Sequence, residues 1–121
     1  MKKRIVVVED FNTSRQIIKK TLESMGYLVE EAADGREATR FFNGSKIDLV
    51  ISDYNMPNMD GGALVEYIRS KDEYRYIPIF MLSTETNIEK QNRAKEAKIT
   101  AWIKKPFEVM EFRKLVEKVL V

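Results

Sequence analysis

Four stretches of this 121-residue chain set reactive side chains directly after an apolar run. Glu9 and Asp10 follow Ile5-Val6-Val7-Val8, and Asp53 closes Leu49-Val50-Ile51-Ser52 and leads into Tyr54-Asn55-Met56-Pro57. Ser83, Thr84 and Glu85 follow Ile79-Phe80-Met81-Leu82, while Lys105 follows Ala101-Trp102-Ile103-Lys104 and precedes Pro106-Phe107. Taken singly, each has an ordinary reading: an acid after a strand usually caps a helix, and Ser-Thr is a common turn element. Together they are three carboxylates, a hydroxyl and an ammonium aimed at one rim. Three carboxylates that close repel one another and push at least one pKa upward. A divalent cation and one Lys together balance the three negative charges. The chain has no His and no Cys, so such a cation must be a hard, oxygen-loving one, and Mg²⁺ is the natural choice. A neutralised site of this kind, with one anionic oxygen free to attack, is equipped for phosphoryl transfer onto a carboxylate. Asp53 is the best acceptor, because the central strand sets it mid-rim between the acids and the Lys.

The elements that must position these groups follow from hydrophobic pattern. The three strongest apolar runs lack polar alternation and read as strands buried on both faces. Leu28-Val29 and Ala101-Trp102-Ile103 are weaker, as edge strands are. Between them lie helical stripes: Ile17, Ile18, Leu22 and Met25, closed by Gly26; Ala38, Phe41 and Phe42, ended by Asn43-Gly44; Leu64, Val65 and Ile68, entered through Asp60-Gly61; and Phe112, Leu115, Val116 and Val119. The segment 87–96 offers only Ile88 and Ala94 as apolar contacts, which predicts a weakly anchored, mobile helix. Strict alternation of strand and helix means right-handed crossovers and a parallel sheet covered on both sides, an α/β doubly wound fold of five strands and five helices. Ligands in such folds sit at the carboxyl ends of the strands, where the reactive residues fall.

Composition removes other classes of answer. The length fits one domain, residues 1–121, able to bury an ordinary core without staples. Without Cys there is no disulfide framework or thiol nucleophile, and without His the usual neutral-pH base is missing. A net charge of +2 is too small to argue for nucleic acid or a membrane surface. Residues 1–60 carry 9 basic and 10 acidic side chains, and residues 61–121 carry 12 and 9, so the basic excess lies in the second half. No apolar run approaches membrane-spanning length, and the expectation is a cytoplasmic protein.

The motifs VVVEDFNTSR, DLVISDYNMPNMDG, PIFMLSTE and WIKKPF, in this order and at these spacings, resemble the receiver domain of two-component response regulators, most closely the single-domain chemotaxis type. The resemblance runs from Arg4 to Val121. It implies a flavodoxin-like sheet of strand order 2-1-3-4-5. It also implies that Asp53 accepts a phosphoryl group from a phosphohistidine on a partner histidine kinase, in a Mg²⁺-dependent reaction. Asp10 would then ligate the ion directly, Glu9 through a water, Asp53 by its carboxylate and Asn55 by its main-chain carbonyl. Lys105 would pair with the acceptor and then with the phosphoryl oxygens, Ser83 would bond one of those oxygens, and Lys105-Pro106 would be cis. The output would be a changed surface of the fourth helix, fifth strand and last helix, presented to a downstream protein. Lys90, Arg93, Lys95, Lys98, Lys104, Arg113, Lys114 and Lys118 lie in that region. Most of this charge reads as a solvated face, but a basic recognition surface would suit an acidic partner.

Three positions depart from the family pattern. Glu9 replaces the usual Asp, Thr84 stands where a smaller residue is typical, and Trp102 holds a switch position more often Tyr or Phe. Its ring either turns inward when Ser83 moves or simply packs. The resemblance also assigns Asn55 and Glu85 to tuning how fast water removes the phosphoryl group, in the short-lived manner of chemotaxis signals. Rival readings are a phosphatase of the haloacid-dehalogenase type, a phosphorelay shuttle, a flavodoxin-type carrier and an unphosphorylated receiver-like module. Against the first stands Asn55, where that family keeps an acid two residues after its nucleophile; against the flavodoxin type stand Glu9 and Asp10, where a phosphate would have to sit. The expectation is therefore a stand-alone signalling domain and not an enzyme in the turnover sense, either monomeric or dimerising on phosphorylation, with no direct contact to nucleic acid or membrane.

Overall fold

A computed structural model describes residues 2–121. The strands are β1 (Arg4–Val8), β2 (Leu28–Ala32), β3 (Leu49–Ser52), β4 (Ile79–Ser83) and β5 (Ala101–Lys104). The helices are α1 (Asn12–Ser24), α2 (Gly35–Ala38), α3 (Gly61–Arg69), α4 (Ile88–Glu96) and α5 (Val109–Val119). All strands pair in parallel in the order β2-β1-β3-β4-β5. This is the flavodoxin-like order that the resemblance implied.

Alternation along the strands divides the core in two. Val6, Val8, Val50, Tyr54, Ile79 and Met81 pack with Leu64, Val65 and Ile68 of α3 and Ala94 of α4. Ile5, Val7, Leu49, Ile51, Phe80 and Leu82 pack on the other face with Ile18 and Leu22 of α1 and Phe112 and Val116 of α5. No residue of β1 after Arg4 is more than 1% exposed, which is why its run carries no polar alternation.

The helix starts and stops are mostly local chemistry. Asp60 caps α3 by accepting from Ala63 N–H, Asn87 caps α4 by accepting from Lys90 N–H, and Glu108 accepts from Met110 and Glu111 N–H at α5. Gly26, at φ 92°, ends α1 in a conformation that L side chains rarely adopt.

Three expectations need correction. The Ala38-Phe41-Phe42 stripe is not one helix: α2 spans four residues and tightens into a 3₁₀ turn, Thr39–Phe41. Phe42 closes that turn and is buried edge-on against Tyr74. Ile17 lies half-exposed, since α1 needs only Ile18 and Leu22 to cover its side of the sheet. Ile88 is 63% exposed and anchors nothing, so Ala94 is the sole buried residue of α4.

Candidate functional site

The register of the central strands brings the reactive residues abreast. Val8 pairs with Ser52 and Asp53 N–H donates to the Val8 carbonyl, so Glu9 and Asp53 leave the sheet side by side. Ser52 pairs with Met81, and Lys105 N–H donates to the Ser83 carbonyl, which places the hydroxyl and the ammonium on the neighbouring strand ends. Oxygens of Glu9, Asp10 and Asp53 lie within 4.8 Å of one another. The Lys105 ammonium is 2.9 Å from Glu9 Oε2 and 3.5 Å from Asp53 Oδ2. The Lys105–Pro106 peptide is cis.

The other contacts fix the loop that follows Asp53. Asp53 Oδ1 accepts from Tyr54 N–H at 2.7 Å, and Tyr54 turns its ring into the core. Gly61 sits against this bend, its N–H donating to the Tyr54 carbonyl at 2.7 Å. A Cβ there would run into the Asp53 carbonyl oxygen and approach Tyr54 Cα to 2.8 Å, so only glycine fits. Arg15 of α1 donates to the Glu9 carbonyl at 2.8 Å and to Glu31 of β2 at 2.9 Å, steadying the end of β1.

Electrostatics distinguish the acids. Burial pushes the Glu9 carboxyl up to about 7; the neighbouring Asp53 charge adds to the rise, while the Lys105 ammonium opposes it. Only two buried side-chain oxygens among the described residues lack a hydrogen-bond partner, Glu9 Oε1 and Asp10 Oδ1. Orphaned acceptors of this kind are costly without a cation or donor. The donor set fits a hard divalent cation: it is all oxygen, it is crowded, and its two unsatisfied members point to a missing positive partner.

Ser83 is fully buried, and its hydroxyl oxygen accepts from Glu85 N–H at 3.1 Å, leaving its own proton to donate elsewhere. Thr84 is exposed and lines an apolar trough beside Lys105 with Ile17, Pro106, Phe107 and Val109. Glu85 turns back to the loop after Asp53. Its Oε1 accepts from Asn55 Nδ2 and from the Lys90 ammonium, each at 3.0 Å, and its Oε2 accepts from Thr86 and Asn87 N–H. The Asn87 N–H, then Lys90 and Asn55, hold the Glu85 carboxyl down to about 2. Trp102 is half-buried, its ring 6.0 Å from that of Tyr54.

The arrangement also shows what sequence reading missed. Lys90 and Arg93 belong to an internal network rather than to a free basic face. Arg93 pairs with Glu66 at 2.8 Å and Asp60 at 3.4 Å, and its guanidinium also reaches the Tyr54 hydroxyl. A cation on a polar helix carries no mark in the sequence that separates an ion pair from a solvated charge. Tyr54 and Arg15 went unremarked for a similar reason, since neither has a reactive group at the rim.

Residues 5–117 match the model for the response regulator receiver domain. The chain belongs to that family, a family of signalling domains. Within it the chain is CheY-like. It is 32% identical over 117 residues to chemotaxis protein CheY-3 of Vibrio cholerae, covering 96% of this chain and 90% of that protein. It is 30% identical to chemotaxis protein CheY of Pseudomonas aeruginosa, covering 96% and 94%. The solved structure of Vibrio cholerae CheY4 superposes with a TM-score of 0.91 at 39% identity, covering 99% of this chain and all of the other. The receiver domain of a Pseudomonas aeruginosa sensor histidine kinase, solved with a magnesium ion in its active-site cleft, superposes with a TM-score of 0.89 at 26% identity, covering 99% and 98%.

Proposed function

We propose that this chain is a phosphorylation-operated switch that takes a phosphoryl group onto Asp53 from a phosphohistidine of a partner kinase. The observation that carries the reading is the pair of orphaned, buried oxygens on Glu9 and Asp10 beside Asp53 and Lys105. The Asp53 carboxylate attacks phosphorus, the P–N bond breaks as the P–O bond forms, and the electron pair returns to a donor ring protonated on its other nitrogen, which leaves as neutral imidazole.

Mg²⁺, when bound, supplies the charge that lets a phosphoryl oxygen approach three acids; Asp10, Asp53 and the Asn55 carbonyl would hold it, with Glu9 acting through a water. This chain's own groups do the rest. Tyr54 N–H holds one acceptor oxygen in place. Lys105 moves from Glu9 toward the new phosphoryl oxygens, and the free proton of Ser83 donates to another. Because Ser83 Oγ is tied to Glu85 N–H, that donation bears on the whole loop leading into α4. Trp102, packed on Tyr54, lies on the same side. The downstream protein would then read the α4-β5-α5 surface, in a chemotaxis-like pathway, through one receiver domain over residues 1–121. No helix among the described residues is long and apolar enough to cross a membrane.

Incubation with Mg²⁺ and a small acyl phosphate tests the reading by intact mass. One phosphoryl adduct that disappears when the metal is chelated is the expected result. No adduct at any donor concentration would overturn it.

A further inference from the structure

The feature that the mechanism above leaves unused is Lys90. It stands in the first turn of α4, five residues past Glu85, and turns back over the site instead of outward. Its ammonium is 3.0 Å from Glu85 Oε1, 3.5 Å from Asn55 Oδ1 and 5.8 Å from the centre of the Tyr54 ring. Asn55 Nδ2 donates to the same Glu85 oxygen. Three side chains from the β3–α3 loop, the β4–α4 loop and α4 are thus joined into one polar bar, with Asn55 two residues past Asp53 and Glu85 N–H bonded to Ser83 Oγ. Glu85 is the fixed centre of that bar. Both its oxygens are occupied, its side chain is only 14% exposed, and Gln91 Nε2 holds its carbonyl at 3.0 Å.

A carboxylate so placed is a hindrance to an anionic donor unless something cancels its charge. Lys90 is the group in contact that can do so, since Asn55, Gln91 and the backbone donors are neutral. We infer that Lys90 is a positioning residue for phosphoryl admission: it neutralises Glu85 and holds it against Asn55, so that an anionic donor meets a neutral gatepost rather than a fourth negative charge. The inference rests on the receiver reading above, and concerns donor admission, not the attack itself. Lys90 touches neither Asp53 nor the donor's phosphorus in this arrangement. Its effect is electrostatic and must therefore scale with donor charge and weaken with salt.

The test compares acetyl phosphate, close to a dianion at neutral pH, with phosphoramidate, which carries about one net negative charge less. Phosphorylation of the full chain is followed by intact mass with Mg²⁺ present, at low and high ionic strength. For Lys90→Met, the rate with acetyl phosphate should fall roughly five-fold at low salt, by the size of one uncancelled charge near a solvated site. The fall should be smaller with phosphoramidate and should shrink in high salt. Lys90→Arg should keep the original rate ratio between donors. Adding Glu85→Gln to Lys90→Met should make the protein take acetyl phosphate faster than Lys90→Met alone, because the uncancelled charge is gone.

A purely structural role for Lys90 would slow both donors equally at every salt concentration, and that result overturns the inference. So does an unchanged donor ratio in a Lys90→Met protein that is phosphorylated normally. If the unsubstituted chain takes phosphoryl from neither donor, the receiver reading itself has failed and this inference falls with it.

Discussion

The Lys105 ammonium lies closer to Glu9 Oε2, at 2.9 Å, than to Asp53 Oδ2, at 3.5 Å, so the site's Lys leans on the buried Glu9 and only loosely engages Asp53. The shorter contact to the Asp53 carboxylate is the one from Tyr54 N–H, at 2.7 Å. The same arrangement sets the Glu9 carboxyl, pushed up by burial, in direct contact with the Lys105 ammonium.

The first prediction concerns pH in the absence of metal. The folded-state carboxyl of Glu9 is raised from 4.5 to about 7. A raised group binds more protons folded than unfolded, so its contribution is fully present below about 4.5 and is lost as pH rises through about 7. Urea unfolding in chelator should show a stability decline across that window, amounting to a few kcal/mol at most. Glu9→Gln should flatten it. Glu85 acts in a separate window, since its lowered carboxyl stabilises the fold above about 4.5 and loses that effect as pH falls toward about 2.

The second prediction is the reverse dependence when metal is added. Binding a cation at these oxygens requires Glu9 to be ionised, so Mg²⁺ affinity should rise between about pH 6 and 8 and binding should release a proton. Titration calorimetry in buffers of different ionisation enthalpy measures this. The fluorescence of Trp102, packed on Tyr54 next to Asp53, should change in the same titration. Affinity independent of pH would contradict the assignment of Glu9.

A third prediction concerns Gly61. Any Cβ there meets backbone, the Asp53 carbonyl and Tyr54 Cα, which cannot rotate away. Gly61→Ala should destabilise the fold by about 2–3 kcal/mol and impair phosphorylation together. Gly26→Ala is the control, since a Cβ there meets nothing within 4 Å and its strain comes only from φ 92°. It should lower stability and leave phosphorylation intact.

A fourth prediction addresses α4. With Ala94 as its only buried residue, the helix is held mainly by Arg93 to Glu66 and Asp60 and by Lys90 and Gln91 to Glu85. Exposed ion pairs contribute only about 0.2–1 kcal/mol each. Amide exchange should therefore reveal α4 opening before α3 and α5, and Arg93→Met should widen the gap by roughly 1 kcal/mol. Equal protection across all helices would refute it.

The fold was legible because its signals were local and repeated. Unalternating apolar runs marked β1, β3 and β4, and Asp60, Gly26 and the Phe112-to-Val119 stripe marked helix ends and faces. Glu9, Asp10, Asp53, Ser83 and Lys105 were legible as a group because each closes an apolar run, and the sheet brings run ends together. What stayed hidden depends on side-chain direction. Ile88 has the composition of an anchor yet points to solvent, and Lys90 and Arg93 have the composition of a solvated face yet turn inward to acids 5, 27 and 33 positions away. No periodicity records such pairings.

The most direct test of the central claim is to locate the phosphoryl group. After reaction with Mg²⁺ and acetyl phosphate, borohydride reduces an aspartyl phosphate to homoserine, which peptide mass spectrometry places in the sequence. The account predicts homoserine at position 53 alone, none in Asp53→Asn, and a much reduced yield in Asp10→Asn and Lys105→Met. Homoserine at another carboxylate, or phosphate on Ser83 or Thr84 with none at Asp53, would contradict it.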